Sequence, residues 1–291
     1  MSSSFGPEHE SRRPTAGAAS TEAVTFTWAD AQRGWYGMAR LGLAGGGASA
    51  LFVLMHGREP VEVVAKGGIE VPADAGWADL EAGGLRATVE APLERWRVAL
   101  GGRDHAADLE FEAISAPGAS AAVPGGEGYD QLCRVRGTLG HGDRTMEIDG
   151  VGQRGHAWGE TDWSAIELTR GVSAWLEGDD VGGLAFASAR RSGVAGHAAE
   201  DVRALLFERG ESVAVADPRL STTYDGDGHV RRAGLELWIT EDGFPYRAAG
   251  EVLCGTTLDL GALSLDLAFM RWHAEGHEGI GRYEIWRRRN E

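Results

Sequence analysis

Cysteine and basic residues are scarce in this chain, and each shortage excludes a class of protein. Two cysteines, Cys133 and Cys254, are too few for a disulfide framework and lack the spacing of metal ligands. A reduced, cytoplasmic protein is therefore expected. Lysine and arginine number 28 against 44 acidic residues, which gives a net charge of −16. Because nucleic acids and anionic membranes require a basic footprint, neither is expected as a partner.

Long apolar runs are missing as well. No stretch approaches the roughly 18 consecutive apolar residues that suggest a membrane helix, so no integral membrane span is expected. The first twenty residues lack the apolar centre of a signal peptide. Convincing helical periodicity is nearly absent. Only Asp201 to Arg209 has a trace of it, and its glycine neighbours favour a strand.

Glycine and tryptophan are abundant instead, with 44 and 10 residues. Many glycines between short alternating segments are typical of hairpin turns, and large aromatic side chains suit the lining of a pocket. Val24, Phe26 and Trp28 alternate with threonines as in a half-buried strand. Further strands with such patterns are expected at Trp35–Ala44, Ser49–His56, Leu85–Val89, Trp96–Leu100, Leu109–Ala113, Leu184–Ala189, Val202–Phe207, Val213–Ala216, Leu235–Ile239, Leu263–Phe269 and Tyr283–Trp286.

Many short strands at near-regular spacing predict an all-β fold. Residues 1–22 lack periodicity and are expected to form a disordered tail. The Gly-, Ala-, Ser- and Pro-rich stretch Ser115–Gly128 is the clearest linker. It predicts two antiparallel β-units, residues 23–127 and 128–291. Alternation alone does not distinguish a barrel from a sandwich, so both remain open.

One segment, Gly152 to Trp163, interrupts the alternation, so an irregular loop is expected there, and it concentrates chemically useful side chains. It holds Arg154, His156, Trp158, Asp162 and Trp163 within twelve residues. An apolar wall would raise the pKa of Asp162 and keep its proton available, while His156 could orient that carboxyl or carry the proton itself. Arg154 could neutralise a substrate oxygen or hold Asp162. The alternative is a structural plug at the end of a barrel.

The segment also resembles a known family. The run Tyr129–Thr138, then Glu147–Gly159 with Arg154-Gly155-His156-Ala157-Trp158-Gly159, then Thr161-Asp162-Trp163, is similar to the carotenoid 1,2-hydratase-like proteins (hydroxyneurosporene synthase type). Those proteins approximate this pattern as R-D-H-S-W-G-x-R-D-W. Gly279 to Trp286 resembles their last strand. Two positions depart from the pattern, since Gly155 replaces the usual Asp and Thr161 the usual Arg.

The resemblance implies tandem lipocalin-like barrels and a deep apolar pocket. It also implies acid-initiated chemistry on an alkene or polyene of terpenoid or polyketide type, without a cofactor or metal. Asp162 and His156 are then the expected catalytic residues. The expected substrate-binding residues are Arg154, Trp158, Trp163, Trp175, Trp272 and Tyr283, although Trp272 and Tyr283 fit core packing equally well.

Three functions remain open at this stage. The first is a hydratase, cyclase or isomerase acting on a lipophile, and the second is a carrier that binds such a molecule unchanged. The third is a scaffold with a filled pocket. A metal is not expected at His273 and His277, because their spacing suits a metal only on a helix and their surroundings predict a strand and turn. The oligomeric state is also open, with a homodimer as a candidate.

Overall fold

The computed structural model describes residues 5–12, 20–102, 105–177, 182–194, 200–240 and 242–289. Within them the chain has the expected tandem lipocalin-like all-β fold, built from two curled antiparallel sheets. The strands are β1 (Ser20–Asp30), β2 (Trp35–Ala44), β3 (Gly47–His56), β4 (Glu59–Glu70), β5 (Asp79–Ala82), β6 (Leu85–Ala91), β7 (Arg95–Leu100), β8 (His105–Ala113), β9 (Gly118–Ala119), β10 (Gly126–His141), β11 (Arg144–Glu160), β12 (Ile166–Leu176), β13 (Gly183–Arg191), β14 (Glu200–Glu208), β15 (Glu211–Ala214), β16 (Asp217–Tyr224), β17 (Val230–Trp238), β18 (Tyr246–Asp259), β19 (Leu263–Ala274) and β20 (His277–Arg288). Two 3-10 helices, Pro7–Glu10 and Trp163–Ala165, complete the described elements.

The strands divide into two units, and the division differs from the expected one. Over the described residues, unit 1 consists of Met1–His56, Pro60–Pro117 and Gly128–Thr161, and unit 2 of Gly57–Glu59, Gly118–Glu127 and Asp162–Glu291. The main division therefore follows Thr161, not residue 127. The reason is strand pairing, because β10 pairs with β8 and β11 pairs with β1, which places both long strands in the first sheet.

Unit 1 has the strand order β4-β3-β2-β1-β11-β10-β8-β7-β6-β5. The sheet curls strongly, so that Nζ of Lys66 on β4 donates a hydrogen bond of 3.0 Å to the carbonyl oxygen of Gly83 between β5 and β6. The two ends of the sheet thus meet around one core. Val24, Phe26 and Trp28 lie in that core as predicted. Alternate residues of β1 such as Thr27 and Ala29 are also buried, so this strand is covered on both faces and not half-buried.

Unit 2 has the order β15-β14-β13-β12-β20-β19-β18-β17-β16. Two consecutive residues, Val215 and Ala216, connect one edge of this sheet to the other. The backbone N–H of Val215 donates to Ala204 on β14, and that of Ala216 donates to Trp238 on β17. The chain therefore leaves one edge of the sheet and enters the other without a loop, which closes the sheet at this point.

A tryptophan lies over a glycine of the neighbouring strand in both units. Trp28 on β1 is the direct cross-strand partner of Gly37 on β2, and Trp272 on β19 is that of Gly250 on β18. A Cβ atom at Gly250 would lie 2.9 Å from atoms of the Trp272 ring, and one at Gly37 would lie closer still to Trp28. Part of the high glycine content is therefore required for aromatic packing between strands.

The expected disordered tail is ordered where the structure describes it. Residues 5–12, called here the N-terminal segment, contain a 3-10 helix and pack onto unit 1 with Glu10 only 3% exposed. β1 begins at Ser20, within the expected tail. Residues 1–4 and 13–19 lie outside the described part of the chain. Composition suggested disorder because composition alone does not reveal that Glu10 forms a buried ion pair with Arg154, a residue far along the chain.

Candidate functional site

The motif expected to form an irregular loop is mostly a strand. β11 runs through Glu160, and Arg154, His156 and Trp158 alternate along one face of it. Their partners across β1 are Phe26, Val24 and Glu22 respectively. Because direct partners in an antiparallel pair share a face and Val24 and Phe26 belong to the core, the three motif residues face the interior of unit 1. Polar residues on an inward face explain why the alternation was not visible in the sequence.

Arg154 lies at the centre of a buried polar cluster. Its two terminal nitrogens each lie 3.0 Å from Oε1 of Glu10, and one of them also donates to the amide oxygen of Gln131. The hydroxyl of Tyr129 donates to Oε1 of Glu10, and the indole N–H of Trp96 donates to Oε2. These five residues, Glu10, Trp96, Tyr129, Gln131 and Arg154, are called here the Arg154 cluster.

The electrostatics of this cluster favour a charged arginine. Burial opposes the charge of Arg154, but the neighbouring Glu10, which attracts the guanidinium and accepts its hydrogen bonds, helps to leave the pKa of Arg154 raised. Burial also raises the pKa of Tyr129, which keeps its hydroxyl protonated and able to donate. The guanidinium carbon lies 5.4 Å from the ring centre of Trp96 and 5.5 Å from that of Tyr129, which adds cation–π attraction.

His156 is paired with a second buried carboxylate. Its Nε2 lies 2.9 Å from Oε1 of Glu22, and both side chains are nearly inaccessible to solvent. Since a carboxylate accepts hydrogen bonds, Nε2 is the donor in this pair. The other ring nitrogen, Nδ1, is buried and has no hydrogen-bonding partner among the described residues. An oriented imidazole with one unengaged nitrogen is the arrangement that proton transfer requires.

Aromatic rings surround this imidazole. The ring centres of Trp158, Trp77 and Tyr129 lie 5.2, 5.5 and 6.0 Å from that of His156. Trp77, from the connection between β4 and β5, is fully buried. The His156–Glu22 pair and the Arg154 cluster therefore share Tyr129, and their surroundings combine ionisable groups with apolar walls.

Asp162 does not have the surroundings expected of it. It belongs to unit 2, is exposed, and caps the 3-10 helix at Trp163–Ala165 by accepting a hydrogen bond of 2.9 Å from the backbone of Ser164. Hydrogen bonds from the Ser164 side chain and backbone lower the pKa of Asp162, so the expected upward shift is wrong. Trp163 is 41% exposed. Thr161, which stands where the carotenoid 1,2-hydratase-like pattern has Arg, is buried.

The remaining predicted residues, Trp175, Trp272 and Tyr283, lie in unit 2. Trp272 and Tyr283 are buried in the core of unit 2, and the Tyr283 hydroxyl lies 2.8 Å from Oγ1 of Thr222. Trp175 is also fully buried, on the face of β12 opposite to the core residues Ala174 and Leu176. These observations match the core-packing interpretation of Trp272 and Tyr283 that the sequence left open.

Gly155, the other departure from the carotenoid 1,2-hydratase-like pattern, has a neighbouring carboxylate. A Cβ atom at Gly155 would lie 2.5 Å from Oδ1 of Asp130 on β10. The space that an aspartate would take at residue 155 is thus filled by a carboxylate from the neighbouring strand. Gly155 lies on the face of β11 opposite to Arg154 and His156.

Sequence reasoning missed Glu10 and Glu22, the two carboxylates that pair with the motif residues. Both fall inside the stretch that composition assigned to a disordered tail. For Glu22 a signal existed, because it continues the alternation of Val24 and Phe26 by one step. For Glu10 the sequence contains no such periodic signal.

No group of three or more His, Cys, Asp or Glu side chains is placed to share a metal ion within the described ranges. His273 and His277 lie at the end of β19 and the start of β20, on the strands and turn that the sequence predicts. No helix in the described part of the chain has the length and apolar character needed to cross a bilayer.

Solved structures share this fold at low sequence identity. An AttH-type protein from Nitrosomonas europaea matches with a TM-score of 0.70 and 14% identity, over 91% of each chain. Kievitone hydratase from Nectria haematococca matches with a TM-score of 0.70 and 12% identity, over 98% of this chain and 93% of its own. CghA in complex with Sch210972 matches with a TM-score of 0.64 and 12% identity, over 92% and 88%.

Comparison by sequence identifies a family model but no curated protein. No curated protein matches this chain by sequence. One family model matches residues 6–289, which is nearly the whole chain and spans both units. The chain therefore belongs to the family described as Domain of unknown function (DUF7064).

Proposed function

We propose that this protein is a cofactor-independent acid–base enzyme, a hydratase or cyclase-type lyase or isomerase, that acts on a lipophilic molecule of terpenoid or polyketide type. One observation carries the proposal. His156 is buried, oriented by Glu22 at 2.9 Å, and surrounded by the rings of Trp77, Trp158 and Tyr129. A carrier needs apolar walls but no oriented proton donor among them, so this pair favours catalysis over transport.

The proposed chemistry begins with the proton on Nδ1 of protonated His156. Transfer of that proton to one alkene carbon leaves positive charge on the other carbon. The faces of Trp77 and Trp158 stabilise that charge, and the Glu22 carboxylate stabilises the imidazolium before transfer. Water then adds to the cation and returns a proton to Nδ1, so that the net reaction adds one water across the double bond. An internal nucleophile in place of water gives a cyclic isomer with the same proton balance.

The proteins of similar fold support the proposed type of reaction. Kievitone hydratase, by its name, hydrates a small organic molecule, and CghA is a protein crystallised with the compound Sch210972. The motif around His156 resembles the carotenoid 1,2-hydratase-like family, in which acid-initiated chemistry needs no cofactor. Asp162 is the weaker candidate for the acid, because its carboxyl is exposed and hydrogen-bonded in a way that lowers its pKa.

The test uses the purified full chain and a panel of prenylated phenols and linear polyenes that includes kievitone. Mass spectrometry would detect the mass of one added water, or a product of unchanged mass with a new retention time. His156→Gln is expected to lower turnover by about a hundredfold or more, and Glu22→Gln by less, because the imidazole is the proton carrier and the carboxylate only supports it.

Asp162→Asn is the matched control and should retain full turnover. Circular dichroism of each variant checks that the fold is kept. Full turnover by His156→Gln would overturn the role proposed for His156. If members of the panel bind but return unchanged, the carrier interpretation replaces the enzyme.

A further inference from the structure

Glu10 is held in unit 1 by groups that belong to three different strands. Trp96 lies on β7, Tyr129 on β10 and Arg154 on β11, whereas Glu10 lies in none of the strands. Both of its carboxylate oxygens are engaged, since Oε1 accepts from Arg154 and Tyr129 and Oε2 accepts from Trp96. The strands of unit 1 therefore build a complete set of donors for one carboxylate, and the N-terminal segment supplies that carboxylate from outside.

The N-terminal segment is attached through side chains. Among the described residues, its backbone-to-backbone hydrogen bonds are local, from His9 to Gly6 and from Ser11 to Glu8. Apart from Glu10, its polar attachment to unit 1 is the Arg12 guanidinium, which donates to the carbonyl oxygens of Ala73 and Ala75 at 3.0 and 2.5 Å. A segment held in this way can leave without breaking a strand ladder.

The same segment also places an aromatic ring against the site. The ring centre of Phe5 lies 4.9 Å from that of Tyr129 and 6.3 Å from that of Trp158. The segment thus presents a carboxylate to Arg154 and an apolar ring to the adjoining aromatic side chains. An amphipathic organic acid has this same combination of groups.

We propose that the Arg154 cluster is a binding site for the carboxylate of a lipophilic acid, and that the N-terminal segment occupies it as an internal pseudo-ligand. A buried guanidinium is strongly unfavourable without an anion, so Glu10 leaves only when another anion replaces it. A second carboxylate can accept from all three donor residues, whereas a neutral alcohol satisfies fewer of them and brings no charge. Displacement is therefore selective for acids.

A lipophilic acid would then be the substrate class of the proposed enzyme, because Tyr129 belongs to the Arg154 cluster and its ring also lies next to His156. That the acid is a substrate rests on the proposed function, whereas its binding to the Arg154 cluster requires no turnover. A failure of His156→Gln to affect catalysis would leave the binding result intact. Failure of acid binding would likewise leave the role of His156 unaffected.

The first experiment uses the unaltered full chain and two probes, dodecanoate and dodecanol, which share one hydrocarbon tail. Trypsin cleavage after Arg12 is followed over time by mass spectrometry. Dodecanoate is expected to accelerate this cleavage by releasing the segment, and dodecanol is not. Arg154→Gln should abolish the effect of dodecanoate. Cleavage that dodecanoate leaves unchanged or slows would overturn the proposal.

The second experiment measures affinity by calorimetry. Glu10→Ala removes the competing carboxylate and is expected to bind dodecanoate about tenfold more tightly than the unaltered chain, with a much smaller change for dodecanol. Equal changes for both probes would show that the hydrocarbon alone is recognised and would contradict the proposal. Should Glu10→Ala fail to fold, the trypsin experiment still decides the question.

Discussion

The carboxylate of Glu10 lies 3.0 Å from both terminal nitrogens of Arg154, although 144 positions separate the two residues in the chain. Both side chains are almost completely buried. This pair joins the N-terminal segment to the middle of the unit 1 sheet, and it sets the local charge balance next to His156. Its removal should therefore affect stability as well as ligand binding.

Glu10→Gln is expected to lower the free energy of unfolding by about 3 kcal/mol, because Arg154 would keep its charge in a buried site without an anion. Equilibrium urea unfolding measures this change. The matched control is Asp108→Asn, since Asp108 and Arg97 form an exposed pair whose loss should cost about 1 kcal/mol or less. Equal effects of the two substitutions would mean that burial of the Glu10–Arg154 pair has no energetic consequence.

Unit 2 offers a comparable test at Glu200. Both of its carboxylate oxygens lie within 2.7 Å of one nitrogen of Arg170, and both side chains are buried. Glu200→Gln should lower the free energy of unfolding by about 3 kcal/mol for the same reason. Hydrogen exchange should increase most in β12 and β14, which carry the two residues. Glu167→Gln, in a partly exposed pair with Arg190, is the control and should change little.

Alanine at Gly37 or Gly250 should be destabilising, because the added methyl group would overlap the ring of Trp28 or Trp272. The expected loss is about 1–3 kcal/mol for each substitution in urea unfolding. Gly226→Ala is the control, since a Cβ atom there meets nothing within 4 Å. A loss no greater than that of the control would contradict the close packing of tryptophan on glycine.

The protein should become less stable in alkaline solution. Burial raises the pKa of the Cys133 thiol from 9.0 to about 12 and that of Cys254 equally, to about 12. Both thiols lose their protons more easily in the unfolded protein than in the folded one. Their contribution to the free energy of unfolding is therefore complete below pH 9.0 and is lost as the pH rises towards 12. Urea unfolding between these limits should show a decreasing free energy of unfolding.

Cys133→Ala tests the source of that dependence. It removes one of the two thiols and should flatten the decline by up to about 1.4 kcal/mol per pH unit, whatever it does to stability at neutral pH. An unchanged slope would assign the alkaline loss to other groups, such as the buried Tyr129.

The hairpins were predictable where alternation and turn chemistry agree. β2 and β3 meet at Gly45 and Gly46, both with positive φ, and β7 pairs with β8 as the sequence indicates. β12 was not predicted, because Arg170 and Ser173 are buried on opposite faces of a strand covered on both sides. A strand of that kind has no polar face for periodicity to reveal.

The candidate site was predictable only in part. The residue types around His156 identified the segment, but the expected loop and the catalytic environment of Asp162 were both wrong. Polar side chains on the inward face of β11 imitate a loop pattern, and the buried carboxylates Glu10 and Glu22 are hydrogen-bonding partners for Arg154 and His156 on that face. The alternation of β1 could have placed Glu22 on the inward face with Val24 and Phe26, and no such signal exists for Glu10. Because ion pairing at long sequence separation leaves no periodic trace, the pairing of either residue with β11 could not be inferred from the sequence by pattern alone.

The pairing of β1 with β11 has a consequence for synthesis of the chain on the ribosome. β1 can pair with β2 as soon as the first 44 residues have emerged, but Thr21 waits for Gly159 on its other side. Until then one edge of β1 is open to aggregation. The donors for Glu10 on β10 and β11 appear equally late, so docking of the N-terminal segment marks the completion of unit 1 during translation.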